Sequence, residues 1–494
     1  MTTRSTVLHP RRPSWRLART LALLALATVW LAGCGDDDDA RRDAAAPDDA
    51  GDATALDGSL GADAAADAGL GDGGAADAAP DPEPAIYPTG QTHSPITAYV
   101  ADHLADVLAQ SPSSQRDVFM KVGDSISASQ SFLNCLAGTS VNYDSYSGLQ
   151  PTRDYFVATP VGGVTSFDRD SDAVEGGRTA WWAVTGAPSP LQSEMTALTP
   201  GAAVVMFGTN DIGWYGSDHV STVKWYYDNY LELVDTLLQN GIVPILSTIP
   251  PRDDDASLDA WVPAWNAVVR GVAQGRQIPL LDFHLELLGL PDHGLSGDGV
   301  HPTAYWDGAA NACDFSPTGL EYGYNLRNLI TLEALDRVRR AALQGAAALD
   351  PSAPHQAGRG TPADPYVIPT DAALYTHMAD TSTSSSRTLD LYSGCSSSAD
   401  ESGPEILYEV TLTQASRVRA LVLDVGDVDV DLHLLDDTAT EAGCLDRGDT
   451  LVEADLPAGT YTFSLDTYVS GGVELGGEYL FVLLVCQGGE VWCG

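Results

Sequence analysis

Four short apolar runs, set apart by stretches long enough for helices, constrain this chain more than any other feature. They are Val118–Val122, Ala202–Phe207, Ile242–Ser247 and Ile278–Phe283. Between and after them, Val223–Gln239 and Leu258–Gln274 have helical character, and Leu326–Leu343 reads as a closing helix. Gly241, just before the third run, is a helix C-terminal signal. Near-continuous apolar runs of strand length suit strands buried on both faces, and parallel neighbours need crossovers of this length. Residues 86–349 therefore predict an α/β domain, a three-layer sandwich around a mostly parallel sheet.

The pattern then changes. Residues 350–360 are rich in Pro, Gly and Ala and read as a linker. Over 361–494 the runs are short and alternate with turn residues: Ile406–Leu412, Ala420–Val425, Val430–Leu435, Thr460–Leu465 and Tyr479–Val485. No amphipathic helix is evident there, so this block predicts an all-β sandwich.

Open α/β sheets place their sites at the carboxyl ends of strands. The first run is followed by Gly123-Asp124-Ser125, the second by Gly208-Thr209-Asn210-Asp211, and the block closes with Asp298-Gly299-Val300-His301-Pro302. Acyl-ester hydrolysis needs a nucleophile, a base, a carboxylate to orient the base and donors for the oxyanion. Ser125, His301, Asp298 and Asn210 supply that set. Asp and His three apart on one loop can meet, and only His301 has an Asp at that offset. His284 follows a predicted strand, and His293 lies in an exposed turn. Ser125 can also cap a helix, and Asp124 is expected to support its loop through backbone hydrogen bonds. No Gly-x-Ser-x-Gly surrounds Ser125, which argues against the α/β-hydrolase elbow.

Taken in order, these blocks resemble the GDSL, or SGNH, hydrolase family over roughly residues 95–345. The resemblance implies an SGNH-hydrolase-like, flavodoxin-like fold and a cofactor-free serine esterase. It implies Ser125 as nucleophile and oxyanion donor, Asn210 as a second donor, His301 as general base and Asp298 as its partner. It also implies a glycine donor, for which Gly177 is the choice, with Gly176, Gly163 and Gly148 open. The family spans lipases, thioesterases and carbohydrate deacetylases.

Trp214 and Tyr215, close behind the Asn210 block, are candidates for a substrate platform. Trp225, Tyr226, Tyr227 and Tyr230 read as core and surface residues of a helix. Asp168, Asp170 and Asp172 alternate but lack a calcium loop's glycine and terminal glutamate. Asp427, Asp429, Asp431 and Asp436-Asp437 alternate with Val and Leu, which places several on one strand face and reads as a solvated face with calcium as the alternative. No metal is predicted. Gly403–Tyr408, Asp429–Leu435 and Pro457–Tyr461 resemble the bacterial pre-peptidase C-terminal type of domain, which implies an accessory role without chemistry of its own.

Residues 1–33 hold five arginines, all before residue 20, and no acid, and end in the apolar stretch Leu21–Ala32, too short to span a bilayer. The ending Leu31-Ala32-Gly33-Cys34 resembles the lipobox of bacterial lipoprotein signal peptides and implies cleavage before Cys34 and its lipidation. Gly35, where an Asp would favour inner-membrane retention, leans toward the outer membrane or cell surface. Residues 34–85 read as a disordered Asp/Ala/Gly tether, with fourteen Asp between Gly35 and Pro84. The whole chain has 25 Lys+Arg against 68 Asp+Glu, a net charge of -43, which excludes a nucleic-acid partner. Six cysteines besides Cys34 fit an exported protein, with even numbers per block. The expected pairs are Cys135–Cys313, Cys395–Cys444 and Cys486–Cys493.

The reading is a monomeric, lipid-anchored, exported serine esterase acting on an acylated carbohydrate or lipid. A non-catalytic polysaccharide-binding lipoprotein and an O-acyltransferase remain open on the sequence alone.

Overall fold

The computed structural model describes residues 83–345, 347–488 and 491–493. The leader, Cys34 and the tether up to residue 82 lie outside the described residues. Four parallel strands build the first sheet: β1 (Gln115–Gly123), β2 (Pro200–Met206), β3 (Val243–Ser247) and β4 (Leu280–Leu281), in that spatial order. Helices α3 (Ala180–Val184), α4 (Pro190–Leu198), α5 (His219–Gln239) and α6 (Val262–Gly275) form one packed layer. Helices α1 (Ala98–Ala109) and α7 (Gly323–Val338) pack on the other side, and the short α2 (Ser125–Ala128) caps β1. This is the α/β architecture with a parallel sheet that the sequence predicts. A 1-2-3-4 order with the crossover helices on one face is what right-handed crossovers produce.

The sequence explains where each helix begins. Ser189 and Gln192 form a capping box ahead of Pro190, and Asp218 caps α5 by accepting from the Ser221 N–H. Val223, Tyr226, Tyr227, Tyr230, Val234 and Leu237 recur at helical spacing and are all buried. The predicted helix Leu258–Gln274 is interrupted. A single turn, Ala256–Asp259, ends before Trp261, and α6 starts afresh with Pro263 in its first turn. The run Ile278–Phe283 contributes only two ladder residues, because Asp282 caps the next helix, Phe283–Leu287, through the Leu285 N–H. His284 therefore sits in that short helix and not at a strand end.

The C-terminal region is made mostly of antiparallel strands in two main sheets. One runs β10 (Cys444–Gly448), β9 (Val430–Leu435), β12 (Gly459–Thr467), β7 (Glu405–Leu412) and β5 (Tyr366–Val367). The other runs β11 (Leu451–Leu456), β8 (Ser416–Asp424), β15 (Glu478–Val485) and β6 (Leu374–Asp380). Period-two alternation divides β15 between two cores. Tyr479, Phe481, Leu483 and Val485 fill the sandwich, while Leu480, Val482 and Leu484 join the core of the α/β region. Gly271 and Gly275 make that docking possible, since a Cβ at either position would overlap Leu480 or Met378. Arg276 bridges Asp235 and Glu478, Lys224 pairs with Asp424, and Arg419 lies 3.9 Å over the Trp261 ring while donating to the Ala260 carbonyl.

Asp427 and Asp437 are exposed as expected, but the part of the face carrying Asp431 and His433 is buried and not solvated. The segment around residues 389–401 lies over it. Tyr392 stacks on His433 at 3.5 Å, and the Cys395–Cys444 disulfide fastens this cover to β10. Cys135–Cys313 and Cys486–Cys493 are also bonded.

Candidate active site

The end of β1 sets the first group. Gly123 packs so close to β2 that a Cβ would come 2.7 Å from the Met206 carbonyl oxygen. Beyond it the chain turns into α2, and the helix cap is Asp124, not Ser125. The Asp124 carboxylate accepts from the Ile126 N–H at 3.0 Å and is fully buried. Ser125 thus occupies the first helical position, where a backbone N–H has no partner within the helix.

Below this turn lies Arg327, a buried cation. Its guanidinium donates to the Ile126 carbonyl at 2.8 Å and the Ser127 hydroxyl at 3.0 Å, and stacks 3.7 Å over Phe132. Burial pulls its pKa down to about 10. Burial likewise pushes Asp124 up to about 6, against the pull of the Ile126 N–H, Arg327 and His301.

The loop 296–301 delivers the other two groups. Asp298 Oδ1 accepts from the Ser296 hydroxyl at 2.8 Å and from the Val300 and His301 N–H groups at 2.9 Å each. Its Oδ2 is left for His301 Nδ1 at 2.7 Å, and His301 Nε2 lies 2.8 Å from Ser125 Oγ. Partial burial raises the Asp298 carboxyl, but the His301 and Val300 N–H groups, the imidazole and Ser296 outweigh it and hold the carboxyl well below the usual range. An ionised carboxylate only accepts, so it assigns the imidazole proton to Nδ1. Nε2 is then the acceptor for the serine hydroxyl proton. This chain of groups can deprotonate Ser125 as it attacks a carbonyl carbon.

The groups expected to serve as oxyanion donors lie beside the same turn. Segment 173–175 runs beside the end of β1, with Gly123 donating to the Ala173 carbonyl and Glu175 donating to the Gly123 carbonyl. It brings Gly176 against Ser125, where a Cβ would sit 3.7 Å from the serine Cβ. Gly177 follows in the left-handed region, φ +74°. Both hydrogens of the Asn210 amide are committed, to Asp124 Oδ2 at 3.3 Å and to the Arg178 carbonyl at 3.0 Å.

Several groups around the site were not singled out in the sequence. Asp211 is fully buried, accepts from the Ala180 N–H at 2.9 Å, and is pushed by burial to about 8. Arg252 donates to the Thr209 carbonyl at 2.6 Å. Beside Asp298 a cleft of about 340 Å³ is lined by Asp253, Asp254, Asp292 and Leu295, among others. His293 pairs with Asp253 at 2.9 Å, across that cleft's rim. Trp214 and Tyr215 are exposed, and Trp214 stacks on Trp225 at 5.3 Å with 4° between the ring planes. Tyr226, Tyr227 and Tyr230 are wholly core, with none at the surface. Asp168 is used locally, accepting from the Thr165 N–H and hydroxyl at 2.7 Å each. Among the described residues no group of three or more metal-ligating side chains converges.

Comparison with known proteins bears on this geometry. Residues 122–305 match the GDSL-like lipase/acylhydrolase family, so this part of the chain is an ester-bond hydrolase domain. No curated protein matches the chain. Among solved structures it is similar to a GDSL-like lipase from Bacteroides thetaiotaomicron (14% identity, 48% of this chain and 99% of that one, TM-score 0.30). It is also similar to an acetylxylan esterase from Geobacillus stearothermophilus (15% identity, 44% and 93%, TM-score 0.29).

Proposed function

We propose that this protein is a serine esterase in which Ser125 attacks the acyl carbon of an ester. His301 removes the serine proton and then protonates the leaving alcohol, while Asp298 holds the imidazole in the required tautomer. The Ser125 N–H, a glycine N–H at Gly176–Gly177 and the Asn210 amide receive the charge on the tetrahedral oxygen. Water then resolves the acyl-serine by the same steps in reverse. What carries this reading is the continuous path Ser125 Oγ–His301 Nε2 at 2.8 Å and His301 Nδ1–Asp298 Oδ2 at 2.7 Å.

The substrate proposed is an acylated carbohydrate or lipid outside the cytoplasm. In this reading the chain is held to the envelope by lipid on Cys34, and residues 361–494 act as an accessory domain of the pre-peptidase C-terminal type. Among the described residues no helix is long and apolar enough to cross a membrane. The test is Ser125→Ala assayed on a short-chain chromogenic ester. Turnover falls to background with folding unchanged; retained turnover refutes the nucleophile. Mass spectrometry of the envelope-derived protein tests acylation at Cys34, and an intact leader removes that part of the reading.

A further inference from the structure

Large aromatic side chains gain roughly 25 cal/mol for each Å² of apolar surface removed from water, so a fold leaves few of them out. Among the described residues only four aromatic side chains are exposed: Trp181 at 37%, Trp214 at 48%, Tyr215 at 44% and Trp306 at 68%. All four follow a block of the active site. Trp181 comes four residues after Gly177, Trp214 and Tyr215 four and five after Asn210, and Trp306 five after His301. The remaining tryptophans, tyrosines and phenylalanines are buried or half-buried. Their exposure therefore falls, along the chain, just behind the blocks of one site.

The arrangement is also built. Trp214 rests flat on Trp225, Tyr215 meets Trp225 edge-on at 5.8 Å, and Trp181 flanks Trp214 at 6.5 Å with 35° between planes. Trp225 is itself buried, so the outer indole is held rigid from behind. The backbones of Trp181 and Trp214 lie three and four residues from Arg178 and Asn210, which are hydrogen-bonded to each other. That puts both within at most about 14 Å of the Asn210 amide.

Resting on the esterase reading above, we propose that this aromatic rim is a subsite for the sugar rings of an uncharged, short-chain-acylated polysaccharide. A flat, rigid indole matches the apolar C–H face of a pyranose, whose hydroxyls stay in water. A long acyl chain asks instead for a concave apolar pocket. The cleft beside Asp298 is lined by Asp253, Asp254 and Asp292, with Leu295 as its one large apolar residue. Those carboxylates, and a net charge of -43, oppose uronate polymers and anionic lipid headgroups but leave a neutral glycan unaffected.

Binding separates this proposal from catalysis. The full chain carrying Ser125→Ala is titrated calorimetrically at low salt with acetylated glucomannan oligosaccharides and with acetylated pectin oligosaccharides. The neutral ligand binds at least tenfold more tightly than the anionic one. Adding Trp214→Ala or Trp181→Ala weakens neutral binding about tenfold or more, while Trp214→Phe retains most of it. Trp306→Ala, at the most exposed position, serves as the variant least able to disturb folding and weakens binding in the same direction. Unchanged binding in these variants, no binding of the neutral oligosaccharide, or equal binding of pectin overturns the proposal. Failure of the esterase reading shows separately, as wild-type protein that binds the glycan but releases no acetate from it or from a chromogenic ester.

Discussion

Both the α/β region and the sandwich bury carboxylates, and they do so to different ends. Beneath Ser125 and Asn210, Asp124 shares its surroundings with a buried cation, Arg327, and the oxygens of Asp124 and Asp211 hold the Ile126 and Ala180 N–H groups in place. In the sandwich, Glu401 and Asp431 face each other and interact carboxyl to carboxyl. Burial pushes both of these acids upward, so the pair retains a proton at neutral pH. Buried charge alone does not make a site. In the α/β region the buried groups brace polar groups that reach solvent, whereas in the sandwich they end in the core.

The sharpest way to test that contrast is to remove polar groups from each region and compare activity with stability. Asp298→Asn costs about 10³- to 10⁴-fold in kcat through loss of the imidazole tautomer, with a modest fall in melting temperature from weakening the carboxylate's hydrogen bonds. A loss below tenfold on a chromogenic ester breaks the assignment. Asn210→Ala lowers kcat about 10²- to 10³-fold, the range for one oxyanion donor. If KM rises and kcat does not change, the amide binds substrate instead. Gly271→Leu should do the opposite, destabilising by about 1–3 kcal/mol through overlap with Leu480 while leaving the Ser125–His301 geometry intact. Denaturation that loses its single transition and splits in two would mark undocking of the sandwich.

The remaining effects concern pH. A carboxyl raised on folding binds more protons in the native state than in the unfolded one, so stability falls as pH climbs from about 4 to the raised value. Asp211 sits near 8. Asp211→Asn therefore flattens the decline in melting temperature between pH 4 and 8 and raises stability at pH 8 by up to about 5 kcal/mol, with little change at pH 4.5. Glu401→Gln acts in the same direction without touching turnover, whereas Asp211→Asn also perturbs activity through α3 and Asn210. Identical activity profiles for the two variants would erase the distinction between the regions.

Much of the site was legible because its chemistry lies in short contiguous pieces. Asp298 and His301 share one loop, and Gly123–Ser125 follows an unmistakable apolar run. Arg327 was not legible, because on a helix of mixed composition nothing marks one arginine as buried under a turn some 200 residues earlier. The choice between Gly176 and Gly177 depends on how segment 173–177 lies along β1, which no local spacing encodes. The alternation at Asp429–Leu435 was read with the correct period and the wrong environment, since the cover over that face comes from around residues 389–401. Trp181 and Trp306 had a signal in the sequence, their distance behind each block, but it has meaning only once their exposure is known.

Local patterns in the chain were enough to determine an α/β unit followed by a β unit, and the residue types able to carry acyl transfer. Periodicity and backbone chemistry act over a few residues and survive without any knowledge of neighbours. Tertiary structure alone decided that both faces of β15 are buried, that Asp124 and not Ser125 caps α2, and that the exposed Trp181, Trp214 and Tyr215 cluster around Trp225. Those outcomes depend on which distant surfaces exclude water from each other, and that is a property of packing between segments.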